Sequence, residues 1–153
     1  MATVEEVQAK LTALIANLSP QARRQLRRKI GQALRKSQSN RIARQQNPDG
    51  SAFEPRKPRK EFGKKKGRIK RKAMFAKLRT ARHLKVRSNG NEVSVGFNGS
   101  SAAIAAVHQY GLTARPSKEK DFKVRYAQRE LLGISEQDLS MLNELVIEQI
   151  SKS

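Results

Sequence analysis

The sequence predicts an α/β (α+β) protein: a small antiparallel sheet with an N-terminal helical hairpin and a C-terminal helix. Apolar residues recur at helical spacing near both ends of the 153-residue chain, and two alternating segments meet at Asn89-Gly90. A basic stretch that also holds proline and glycine predicts a long flexible loop at about 54–72, between helix two and the sheet. The length fits a single domain over residues 1–153.

Two helices are predicted at the N-terminus. Thr3 followed by Glu6 is a capping-box signature, and the apolar periodicity behind it predicts a helix over about 4–17. Ser19-Pro20 suits an N-cap and a first helical position, so a second helix is expected to run to about Gln46. On that helix the predicted polar face, opposite the apolar one, consists of Arg23, Arg24, Arg27, Arg28, Arg35 and Arg41.

The middle of the chain predicts a turn, a short helix and a hairpin. Residues 47–50 combine Asn, Pro, Asp and Gly, which are turn residues, and apolar spacing predicts a short helix over about 68–80. Segments 83–87 and 92–97 alternate between apolar and polar residues. Asn89-Gly90 between them predicts a type I′ hairpin turn, because both central residues of that turn need a positive φ.

The C-terminal half predicts a helix, a strand and a last helix. Small apolar residues predict a short helix over 102–109, followed by a polar loop over 113–120. Alternation over 122–126 predicts a third strand that reaches toward Leu131-Leu132. Helical periodicity then predicts a final helix over about 136–151.

Charge is concentrated in one part of the chain. The protein has 33 Lys and Arg against 13 Asp and Glu, a net charge of +20, and residues 23–87 alone hold 25 basic and three acidic residues. This imbalance favours an acidic partner, either a phosphate backbone or an acidic protein surface, and few aromatic residues accompany it, so base-specific reading is not expected. The predicted docking or nucleic-acid-facing residues are Arg56, Lys57, Arg59, Lys60, Lys64, Lys65, Lys66, Arg68, Lys70, Arg71 and Lys72.

Several function classes are disfavoured. The absence of cysteine excludes disulfides, thiolate zinc sites, iron–sulfur clusters and a cysteine nucleophile. The surroundings of His83 and His108 are poor in acids, and the sequence has neither a nucleophile elbow nor P-loop spacing. We therefore expect no enzyme activity, no metal and no cofactor. Glu5 and Glu6 stand where a signal peptide would be basic, so we also expect neither secretion nor a membrane partner.

The segment around 102–111 has two interpretations. Its alanines let another backbone approach closely, and Tyr110 is a residue type enriched at interfaces, which favours a contact between subunits. A helix buried in the core of the monomer explains the same pattern equally well. The candidate subunit-interface residues are Ile104, Val107, His108, Tyr110 and Tyr126.

Five motifs occur in order along nearly the whole chain. They are Arg41-Ile42-Ala43-Arg44-Gln45-Gln46-Asn47-Pro48-Asp49-Gly50 with Phe53 and Pro55, Lys72-Ala73-Met74-Phe75 with Leu78-Arg79, the Asn89-Gly90 hairpin ending in Val95-Gly96-Phe97, Ile104-Ala105-Ala106-Val107-His108-Gln109-Tyr110-Gly111, and Tyr126-Ala127-Gln128-Arg129-Glu130-Leu131-Leu132-Gly133-Ile134-Ser135. Together they resemble the virion morphogenesis, or tail completion, family of contractile-tailed phages.

The resemblance implies a structural protein rather than an enzyme. It implies that the protein completes the tail at its head-proximal end and enables head–tail joining, as a ring that is often six-fold. Implied partners are tail-tube, tail-terminator and head-completion or neck proteins, with non-specific contact to phage DNA. The implied location is the virion, after assembly in the host cytoplasm. A competing hypothesis, which charge alone supports equally, is a free nucleic-acid-binding protein of ribosomal or nucleoid type that contacts only the backbone.

Overall fold

The computed structural model, which describes residues 3–56, 73–89, 92–117 and 119–152, contains four helices and two small antiparallel sheets within those ranges. The elements are α1 (Val4–Ala16), α2 (Pro20–Ala43), β1 (Leu84–Asn89), β2 (Glu92–Phe97), α3 (Ser100–Tyr110), β3 (Thr113–Ala114), β4 (Val124–Arg125) and α4 (Glu136–Ser151). The predicted mixed α+β class is confirmed. None of the helices in the described ranges is long and apolar enough to cross a lipid bilayer.

Side-chain caps begin three of the helices. The Thr3 hydroxyl of α1 accepts a hydrogen bond from the Glu6 amide at 3.1 Å, and the Glu6 carboxylate accepts one from the Thr3 amide at 2.9 Å. Ser19 caps α2, with proline at its first position, and Ser135 caps α4. These local signals explain why the predicted bounds of all three helices agree with the structure to within three residues.

The hairpin of β1 and β2 lies across the middle of α2. Its register runs from Leu84 opposite Phe97 to Asn89 opposite Glu92. The sequence predicted Asn89 as a central residue of the turn, but in the structure it is a paired strand residue. The two residues that follow it lie outside the described ranges. Close packing against the helix depends on Gly31, where an added Cβ would lie 2.5 Å from Cγ1 of Val86.

The predicted third strand is present but shorter than predicted, and it does not join the sheet of β1 and β2. β4 is only two residues long and pairs with β3, which lies in the stretch predicted as a polar loop, so the two form a separate small sheet. Phe122 is 56% exposed, and Leu131-Leu132 are not in a strand. The backbone of Leu132 is bound instead by the side chain of Gln109, which donates to its carbonyl and accepts from its amide, both at 2.9 Å.

The predicted helix over 68–80 is not formed in its described part. From residue 73 to residue 83 the chain makes consecutive turns. Phe75 has a φ of +65°, a left-handed conformation that an α-helix cannot contain. Residues 68–72 lie outside the described ranges.

The core is small and lies between α2, α3 and the segments that follow them. Its buried apolar residues come from distant parts of the chain and are Ile42, Phe53, Met74, Ala105 and Leu131. Phe75, Leu78 and Phe97 pack against them and are partly buried. α2 contacts both strands of the hairpin and α4, and α4 also contacts α1, so α2 is the helix around which the rest is arranged.

Candidate assembly surfaces

A buried arginine near the end of α2 holds the segment that leads into α4. Arg41 is only 4% exposed, although the sequence placed it on the polar face. Its Nη1 donates to the carbonyls of Gln46 and Glu130 at 3.0 Å each, and its Nη2 donates to the carbonyl of Leu131 at 2.9 Å. The guanidinium fork thus satisfies three backbone acceptors that the fold brings to one place.

Polar side chains of α2 and α4 surround this arginine. The Gln38 side-chain oxygen accepts from Nη2 of Arg41 at 2.5 Å and from the Gly133 amide at 3.1 Å, and its amide nitrogen donates to Asp138 at 3.3 Å. Asp138 is 2% exposed and also binds the Ser37 hydroxyl. Burial raises its pKa, but hydrogen bonds from Ser37 and Ser135 and the Arg41 cation outweigh burial and lower it overall. Asp138 is therefore an ionised counter-charge inside the fold.

A second buried arginine fixes the start of the basic segment, which is the predicted loop of about residues 54–72. Arg129 is 6% exposed, and its Nε and Nη2 donate to the carbonyls of Glu54 and Pro55 at 2.7 and 3.1 Å. Arg56, the first of the predicted docking residues, follows directly and is exposed. The other ten docking residues lie outside the described ranges.

Aromatic side chains form a row beneath α3. Phe53 meets Phe75 at a ring-centroid distance of 5.8 Å, Phe75 meets His108 at 4.8 Å, and His108 meets Tyr126 at 5.1 Å, all edge to face. Burial, with a smaller contribution from the Arg129 cation, lowers the pKa of His108 to about 4. The imidazole is thus a neutral packing residue at pH 7. The other histidine, His83, binds the Ser101 hydroxyl through Nδ1 at 2.6 Å.

The outer side of α3 is apolar and open. Ile104 is 54% exposed and Tyr110 68% exposed, and Val107 is half-buried between them. The structure therefore brings together three of the five predicted interface residues on the surface of α3. It places His108 and Tyr126 in the aromatic row below, where both are half-buried.

Sequence reasoning missed the polar core. The sequence assigns Arg41 to the polar face of the second helix, and it gives Arg129, Gln38, Gln45 and Gln109 no structural role. A usable signal existed, because Gln38, Arg41 and Gln45 lie three and four residues apart around the buried Ile42. Gln45 in fact binds both the amide and the carbonyl of Met74, at 2.8 and 2.9 Å.

Known proteins resemble this chain over nearly its full length. The model of the phage virion morphogenesis family matches residues 2–151. The chain is 40% identical over 144 residues to tail completion protein S of Escherichia phage P2, an alignment that covers 94% of each chain. No solved structure matches it.

Proposed function

The chain belongs to the phage virion morphogenesis family, and from that premise we propose that it is a structural tail protein that completes the tail at its head-proximal end. In this proposal identical subunits form a ring, such as a hexamer, and the ring enables the tail to join a filled head. The observation that carries the proposal is the similarity, over nearly the whole chain, to a protein named for tail completion. The protein is then a component of the virion, assembled in the host cytoplasm.

The use of the buried polar groups supports a structural role. Arg41 and Arg129 donate to backbone carbonyls, and Gln38 and Asp138 bind each other and the chain's own backbone. Side chains engaged in this way fix the geometry of a subunit and are not free to act on a substrate.

The apolar outer side of α3 is the surface we propose for contact between subunits. Ile104 and Tyr110 supply exposed apolar area of the kind that interfaces cover, and Val107 lies between them. His108 and Tyr126 contribute from below: the Arg129 amide donates to the His108 carbonyl at 2.8 Å, and the Tyr126 amide donates to the carbonyl of Leu112 at 3.1 Å. The first bond holds α3, and the second holds the residue just before β3, against the segment that follows β4.

The basic segment is the element we propose for docking. It would meet a neighbouring tail-tube, tail-terminator or head-completion protein, or phage DNA without sequence preference. Arg129 supports this proposal because it anchors the backbone just before Arg56, so that a strongly charged segment starts from a fixed point of the fold.

Native mass measured by light scattering, at low and high salt and with and without duplex DNA, tests the ring. We expect a discrete oligomer and weak binding to DNA that salt abolishes. Ile104→Asp should lower the oligomer fraction, whereas Leu14→Asp, at an exposed leucine of α1, serves as the matched control. A stable monomer that saturates duplex DNA at nanomolar concentration would instead establish the competing hypothesis.

Head joining in vitro, with heads and with tails that lack this protein, tests the docking segment. We expect the triple variant Lys64→Glu, Lys65→Glu and Lys66→Glu to reduce the yield of joined particles while leaving the oligomer intact. The control reverses three exposed cations outside the basic segment, Arg115, Lys120 and Lys123, with the same change in net charge. Normal joining by the first variant would refute the docking role.

A further inference from the structure

The outer face of α2 carries cations that have no carboxylate partner within the described residues. Arg24, Arg28 and Lys36 are exposed and lie on one row of the helix at four-residue steps, with Gln32 at the intervening position. The whole helix holds eight Lys and Arg and neither Asp nor Glu. Within the described ranges, the one ion pair whose nitrogen and oxygen lie closer than 4.0 Å is that of Lys152 with Glu148, and both residues are on the surface. The charge of the α2 row is therefore available to another molecule.

The outer face of α4 has the opposite character. The helix holds four acidic residues and no basic one, and Glu136, Glu144 and Glu148 are exposed. Ile147, three residues after Glu144 and on the same side of the helix, is 54% exposed. A shallow hollow of about 430 Å³ lies on this face and is lined by Glu136, Gln137, Ser140, Met141 and Glu144. Two carboxylates beside a methionine suit the charged head and the apolar stem of a Lys or Arg side chain.

The two rows have the same spacing when one is reversed. The cations of α2 follow steps of four and eight residues, and the glutamates of α4 follow steps of eight and four, so that each row spans about 18 Å of helix. An antiparallel alignment gives three opposite-charge pairs, Arg24 with Glu148, Arg28 with Glu144 and Lys36 with Glu136. Within one subunit the two helices pack through other residues, such as Gln38 with Asp138, and the residues of both rows are exposed. Glu148 also pairs with Lys152 of its own subunit and lies in the field of Lys29, so docking would exchange this surface pair for one with Arg24.

We propose that the outer face of α2 in one subunit docks antiparallel on the outer face of α4 in the next subunit. This inference rests on the proposed ring and names a contact that builds it. Because the two surfaces differ, the contact is head-to-tail, and contacts of that kind close into rings when the rotation between subunits allows. Ile147 supplies apolar area that becomes covered, while the charge pairs set orientation and register.

Charge reversal on each face, followed by mixing, tests the contact. One variant carries Arg24→Glu, Arg28→Glu and Lys36→Glu, and the other carries Glu136→Lys, Glu144→Lys and Glu148→Lys. Each variant alone should assemble about 10–100-fold more weakly than the unmodified chain, because like charges then face each other. An equimolar mixture should recover the ring, because each reversed face then finds a reversed partner. The control is the variant that reverses Arg115, Lys120 and Lys123, which should assemble normally.

Each outcome separates this contact from the ring itself. If the unmodified chain stays monomeric, the proposed ring and this contact both fail. If the unmodified chain forms a ring and the α2 and α4 variants do so equally well, the ring stands and the contact is refuted. A mixture that stays unassembled also refutes it. If reversal of Lys64, Lys65 and Lys66 impairs assembly and the α4 variant rescues that defect, α4 receives the basic segment and the α2 assignment is wrong.

Discussion

Replacement of Arg41 by alanine should cost about 3–5 kcal/mol of unfolding free energy, because a backbone carbonyl left without its donor costs about 1–3 kcal/mol and Arg41 serves three of them. The structure explains a value in this range. Arg41→Ala leaves the carbonyls of Gln46, Glu130 and Leu131 without their donor, and it removes a cation that helps to lower the pKa of Asp138. With a total stability of about 5–15 kcal/mol for a domain, the variant retains only part of its stability.

Urea denaturation followed by circular dichroism measures this loss. Protein concentration must be the same for all variants, because self-association shifts apparent stability. Arg115→Ala, at an exposed arginine outside the proposed subunit contacts, is the control and should change stability by about 0.5 kcal/mol or less. The loss of unfolding free energy for Arg41→Lys should lie between these two values. An ammonium group keeps the positive charge but lacks the guanidinium fork that reaches separate carbonyls.

Two results would refute this reasoning. A loss below about 1 kcal/mol for Arg41→Ala would mean that the three carbonyls find other donors without cost. Equal stability of Arg41→Lys and the unmodified chain would mean that charge alone matters and that the fork geometry contributes nothing.

Three further predictions concern packing, protonation and a side-chain clamp. Gly31→Ala should lower the free energy of unfolding, measured by thermal unfolding, by about 1–3 kcal/mol, because the new Cβ would lie 2.5 Å from Cγ1 of Val86. Adding Val86→Ala to the same chain should recover part of the loss. Stability should fall as pH drops from about 6.5 to about 4, because the pKa of the His108 imidazole is 6.5 in the unfolded chain and about 4 in the folded one. In His108→Leu, the urea midpoint should depend less on pH across that window. Gln109→Leu should lower the free energy of unfolding by about 1–3 kcal/mol, because the Leu132 amide and carbonyl both lose their partner. The control is Gln128→Leu, at an exposed position. An equal loss in the two variants would contradict the clamping role of Gln109.

Elements with local signals were predictable from the sequence. Each helix-capping pair spans only four residues of chain, and the structure forms both pairs, Thr3 with Glu6 and Ser135 with Asp138. The hairpin of β1 and β2 was also predictable, because alternation and turn residues are neighbours in sequence. Asn89, predicted as a central turn residue, is instead paired with Glu92, so the ladder extends beyond the predicted strand end.

Elements decided by distant partners were not predictable. Amphipathic counting assigns every arginine of α2 to the surface, yet Arg41 is buried because carbonyls 89 and 90 residues away need a donor there. The predicted extension of the third strand to Leu131-Leu132 fails for a related reason. The side chain of Arg41 binds the Leu131 carbonyl and that of Gln109 binds both backbone groups of Leu132, so these groups are satisfied without a neighbouring strand. A sequence pattern records polarity and spacing but not which groups will meet.

The polar contact between α2 and α4 bears directly on how the subunit could assemble. Inside the subunit the two helices are joined by directional hydrogen bonds, from Gln38 to Asp138 at one end and from Lys29 to Gln149, at 3.3 Å, toward the other. Purely apolar faces can slide by a fraction of a turn at small cost, whereas a slip here would leave Asp138 buried and unpaired. The bonds therefore fix the register between the helices, and with it the relative positions of the basic and acidic outer rows. Head-to-tail docking needs that fixed offset, because each subunit must present both rows in the same relation for a ring to close.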